Sequence, residues 1–67
     1  MSPITPTIRE RARVTVRRAV DRGEPTTDVY PIAVGMNRLY ASADPDKICS
    51  YATIKAGDTI FHLGFRR

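Results

Sequence analysis

The chain has little of what metal sites and disulfides are made from. With one cysteine, Cys49, and one histidine, His62, among 67 residues, it can form no internal disulfide and cannot supply the four ligands of a structural zinc site. A lone thiol fits a reducing compartment. No apolar run is long enough to cross a bilayer, and the opening "MSPITPTIRE" has neither the basic nor the apolar region of a signal peptide, so a cytoplasmic location is expected. Lysine is scarce too: Lys47 and Lys55 stand against nine arginines. A GC-rich coding bias would account for arginine over lysine, but not for where the arginines stand.

The arginines stand together. Six lie between Arg9 and Arg22 against only Glu10 and Asp21, whereas residues 23–67 carry five basic and five acidic side chains. The whole net charge of +4 therefore belongs to the opening segment. A composition of 42% hydrophobic and 27% charged residues is that of a folded chain. At this length only about 60% of the unfolded surface is buried on folding, so the core is small, and pairing as a homodimer is one way to enlarge it.

Two patterns compete over the arginine segment. Ile8, Ala12, Val16, Ala19 and Val20 recur at helical spacing, Thr7-Ile8-Arg9-Glu10 has the form of a capping box, and Gly23 is placed to end a helix in the left-handed conformation. Ala12, Val14 and Val16 also alternate with polar residues as a strand would. Caps at both ends and the arginine content favour helix. On that reading Val14 points away from the apolar stripe.

After Gly23 the pattern changes. "DVYPIAV" reads as an edge strand or an irregular extended segment because Pro31 lacks an amide, "GMN" as a turn, "RLYAS" as a short strand and "ADPDK" as a type I turn. "ICSYATI" and "TIFHLGF" read as strands joined by Lys55-Ala56-Gly57, with Asp58 accepting from the turn amides. In the last strand Phe61, Leu63 and Phe65 share the face expected to form the core. These elements predict an α+β domain: an N-terminal arginine-rich helix packed on an antiparallel meander of three or four strands, residues 1–6 being a frayed lead and 7–67 a single domain.

The charge pattern points to a non-catalytic module that binds an anionic partner. On the helix, Arg9 and Arg13 fall on one flank, Arg11, Arg18 and Arg22 on the other and Arg17 on the outer face. Guanidinium groups pair with phosphates, so Arg9, Arg13, Arg17, Arg18, Arg22 and, from the sheet, Arg38 are the candidate contacts to DNA or RNA. Arg66 and Arg67 would extend the basic surface. Tyr30, Tyr40 and Tyr51 are candidates for base stacking or a protein interface. The alternative is a small interaction or inhibitor protein, of the phage or mobile-element type, docking on an acidic surface of a larger complex. Ala19, Gly23 and Val29 also have helix-turn-helix spacing, although Pro31 would break the second helix. No local signature supports Cys49 and His62 as nucleophile and base, and no cofactor or metal is expected.

Overall fold

Thr5 and Pro6 start the helix that carries the arginines. In the computed structural model, which describes residues 4–35 and 37–67 and all their side chains except those of residues 33, 34 and 37, helix α1 spans Pro6–Asp21. The expected capping box at Thr7 is not used. The Thr5 hydroxyl accepts from the Ile8 amide at 3.2 Å, and Pro6 occupies the first turn, where its missing amide costs nothing and its fixed φ suits the helix. Glu10 instead pairs with Arg13 at 3.1 Å. Of the expected frayed lead, residues 1–3 lie outside the described residues, while Ile4 is half-buried against the core.

Gly23 ends the helix as expected. With φ at 73° it turns the chain so that its own amide donates to the Val20 carbonyl and the Glu24 amide to that of Ala19, both at 3.0 Å. This pairing satisfies carbonyls that a helix end otherwise exposes. No second helix follows, which removes the helix-turn-helix reading: the chain becomes strand β1 at Tyr30–Val34, with Pro31 on an edge of the sheet.

Strands β2 (Asn37–Ser42), β3 (Ile48–Ala56) and β4 (Thr59–Arg66) complete a four-stranded antiparallel sheet. Its order is β1-β2-β4-β3, so the strands do not follow one another as in a meander. The second hairpin enters with β4 against β2, in the register Tyr40↔Gly64, Ala41↔Leu63 and Ser42↔His62. The reason is burial. β4 carries Phe61 and Leu63, both wholly buried, whereas Cys49, Ser50, Tyr51, Thr53 and Lys55 of β3 are exposed and suit an edge. The link between β2 and β3 is closed by Pro45–Lys47, where the Lys47 amide donates to the Asp44 carbonyl, the turn expected there.

The β3–β4 turn is tighter than expected. Ala56 pairs with Thr59, leaving Gly57-Asp58 as a two-residue loop, and only Gly57 has positive φ, at 62°, as a type II′ turn requires. Among the described residues the Asp58 carboxylate accepts no hydrogen bond from the turn.

The helix lies on the face formed by Ile32, Leu39, Ala41, Ile54, Ala56, Phe61 and Leu63 and buries Ala12, Val16 and Ala19 against it. The two alanines let the backbone come close to the sheet, and Val14 is 44% exposed on the far side, as the stripe predicts. Phe65 departs from its expected place in this core and is 40% exposed. A bulge between Ser50 and Ala52 and the glycine facing it bend this end of the hairpin. A Cβ on Gly64 would come within 1.9 Å of the Cys49 carbonyl oxygen, so the close approach of the two backbones there depends on glycine. No helix among the described residues is long and apolar enough to cross a membrane.

Candidate nucleic-acid interface

Helical periodicity sets Arg9, Arg13 and Arg17 four residues apart, in a row along one side of α1. The Arg9 guanidinium donates to the Thr53 carbonyl of β3 at 3.2 Å, so the row starts beside the β3 edge; each step of four residues turns about 40° further round the helix, which carries Arg17 toward the outer face. Arg11, on the other flank, lines an apolar groove with Val14, Thr15 and Ile32 of β1. Two acids run between the flanks. Glu10 holds Arg13 at 3.1 Å and Asp21 holds Arg17 at 3.6 Å, while beyond the helix Glu24 lies 3.8 Å from Arg22. The side chains of all three pairs are roughly half exposed or more, so water screens them and each adds at most about 1 kcal/mol to stability. The same exposure leaves the guanidiniums open to exchange a carboxylate for a phosphate. Among the described residues the side chains of Arg18, Arg38, Lys55 and Arg66 have no hydrogen-bond or ion-pair partner.

No strand carries an acidic residue. The charged residues of the sheet are Arg38, Lys55 and Arg66, and the acids sit in the helix and the connecting segments. Charge is thus segregated by element. The β1 side of the molecule carries Glu24 and Asp28 in the loop that leads into the strand, while β3 and β4 are free of negative charge along their length. Asp44 and Asp46 lead into β3 and Asp58 sits in the β3–β4 turn, so a polyanion meets no opposing charge along the two strands themselves but does at their ends.

The three tyrosines do not form one platform. Tyr30 faces the helix side, stacks edge-on with Phe61 at 6.5 Å and donates its hydroxyl to the Pro25 carbonyl. Burial raises its pKa, and Glu24 and Asp28 add to the shift. Tyr40 is half-buried and points with Arg38 to the opposite side from Leu39. Only Tyr51 is open, at 49% exposed, and its ring meets Phe65 edge-on at 5.4 Å. The structure therefore keeps Tyr51 and Arg9 on the β3 side, with Arg13 and Arg17 continuing from Arg9 along the helix, and places Arg38 and Tyr40 elsewhere.

Sequence reasoning names Arg67 as an extension of the basic surface but misses where it docks, and it misses the exposure of Phe65. Alternation assigns Phe65 to the core, whereas in the structure it is 40% exposed with its ring against Tyr51. Arg67 is a terminal charge in the sequence, yet its amide donates to the Lys47 carbonyl at 3.0 Å and its Nε to that of Ile48 at 3.2 Å. No local signal in the sequence announces either.

Cys49 and His62 are not brought together. Cys49 stands opposite Phe65 in the register and His62 opposite Thr53, so the two side chains leave opposite sides of the hairpin. Among the described residues no three metal-ligating side chains form a group. No family model, no curated protein and no solved structure matches the chain.

Proposed function

We propose that this chain is a non-catalytic module that binds nucleic acid, chiefly through phosphate contacts from the Arg9, Arg13 and Arg17 row that starts beside β3. The observation that carries this reading is the anchoring of that row's first member, Arg9, on an edge strand without acids, with Lys55 adding charge on the same strand. Guanidinium forks pair with phosphate oxygens, and release of counterions supplies most of the binding free energy. Catalysis has no place in this reading, and a cytoplasmic location agrees with it.

The test is a titration of labelled oligonucleotides by fluorescence anisotropy across a salt series. Four neutralised phosphates on a single strand give a log-log slope of about −3. Arg13→Glu/Arg17→Glu, in the Arg9 row, is expected to weaken binding at least tenfold and to reduce the magnitude of the slope by about 1.4, whereas Arg18→Glu/Arg22→Glu, on the β1 flank, weakens it less. Absence of binding at low salt, or equal binding to polyglutamate, would overturn the reading in favour of docking on an acidic protein surface.

A further inference from the structure

The phosphate row has an aromatic neighbour that a duplex would not use. Tyr51 and Phe65 form an edge-to-face pair at 5.4 Å whose members are 49% and 40% exposed. Nothing else in the molecule exposes two aromatic rings in contact, among the described residues. Along β3, Tyr51 lies between Ile48 and Thr53, and the carbonyl of each holds a guanidinium: Arg67 through its Nε at 3.2 Å and Arg9 through a terminal nitrogen at 3.2 Å. Five residues of strand span about 16 Å, so the two arginines bracket the aromatic pair at a distance of a few nucleotides. Each uses one nitrogen on the backbone, which fixes the side chain and leaves other N–H groups to donate.

We propose that Tyr51 and Phe65 stack unpaired bases while Arg9 and Arg67 hold the flanking phosphates, so that the natural ligand is a single-stranded nucleic acid segment. This rests on the reading above and narrows it. Every base offers a π face, so stacking is tolerant of sequence, but the faces are available only where bases are not already stacked in a duplex. Positive charge on both sides favours a polyanion over a neutral apolar partner at the same patch: β3 and β4 themselves carry no acid, and beside Arg67 the single carboxylate of Asp46 is outnumbered by Lys47, Arg66 and Arg67 lining the same hollow.

The experiment compares oligo-dT, oligo-U, a DNA duplex and an abasic deoxyribose-phosphate oligomer of equal length, each titrated against wild type and Tyr51→Ala/Phe65→Ala. Because both rings are exposed, the variant is expected to fold, as far-ultraviolet circular dichroism will show; Tyr51→Leu/Phe65→Leu replaces it if it does not. Wild type is expected to bind the base-bearing single strands at least tenfold more tightly than the abasic oligomer, and the variant to lose that margin while its duplex binding changes less than twofold. Tighter binding of oligo-U or of oligo-dT reports a preference in the sugar and the 5-methyl group together, and either supports the proposal. Equal affinity of wild type for abasic and base-bearing strands, or no effect of the variant, overturns the stacking role while salt-dependent binding keeps the phosphate reading intact. No binding to any of the four overturns both.

Discussion

The two edges of the sheet solve one problem in different ways. β1 is five residues long, carries Pro31 and is fastened at its start by the Tyr30 hydroxyl on the Pro25 carbonyl, beside Glu24 and Asp28. β3 is nine residues long and has neither proline nor acid; its protection consists of a bulge at Tyr51, Lys55, and the guanidiniums of Arg9 and Arg67 on its carbonyls. An edge can be guarded by subtraction, being short and lacking an amide, or by occupation with side chains. Occupation leaves charged and aromatic groups at the surface, and that is where the candidate site lies.

Breaking the β3 side should have the largest effect. Gly64→Val places a side chain against the Cys49 carbonyl, a backbone atom that cannot rotate away. A loss of about 3 kcal/mol is expected, which in a domain this small lowers Tm by more than about 12 °C in a thermal melt. A melt unchanged within 2 °C, by our expectation of about half a kcal/mol or less, would show that the two strands part there without cost.

The helix serves both edges, and its cap can be tested next. Thr5→Ala removes the acceptor for the Ile8 amide and should cost about 1 kcal/mol, whereas Thr7→Ala should cost less than about 0.5 kcal/mol. The reverse order would restore Thr7 as the cap.

On the β1 side, Tyr30→Phe should cost about 1 kcal/mol near neutrality through loss of the hydroxyl's bond to Pro25. It should also change the alkaline limb. The fold favours the neutral phenol, because burial and the nearby Glu24 and Asp28 raise its pKa. The unfolded chain therefore releases this proton first. The stabilisation is complete below the ordinary tyrosine value of about 10 and is lost as pH rises through the raised folded value. Denaturant unfolding of wild type between pH 9 and 11 should show this decline, and Tyr30→Phe should flatten it.

The smallest effect is expected from Arg9→Met, which keeps the stem of the side chain and frees the Thr53 carbonyl. Stability should change by less than about 1 kcal/mol, since the bond is exposed. Sedimentation at rising concentration should show more self-association than in wild type, because the longer edge has lost one of its guards. Identical sedimentation would leave the bulge and Lys55 as its effective protection.

Local chemistry made much of the fold legible. Val16 and the alanines at 12 and 19 recur at helical spacing, and Gly23 stops that helix in the conformation that costs other residues most. Pro31 marked an edge strand correctly, because a missing amide has the same consequence wherever the strand is placed. The errors fall where two local signals competed or where a distant strand decided. Thr5-Pro6 prevailed over Thr7-x-x-Glu10, since both offer a cap but only the first also supplies a residue with the helical φ already set.

By itself, then, the sequence determined a short α+β domain with its positive charge on one helix, because helix caps, turn glycines and charge clustering are properties of neighbouring residues. Tertiary structure alone decided that β4 rather than β3 stands against β2, that Phe65 leaves the core at the Gly64 bend, and that Arg9 and Arg67, 58 positions apart in the sequence, meet the same strand on either side of Tyr51. These depend on which side chains must be buried together, and burial is settled only when the whole sheet and the helix on it are assembled.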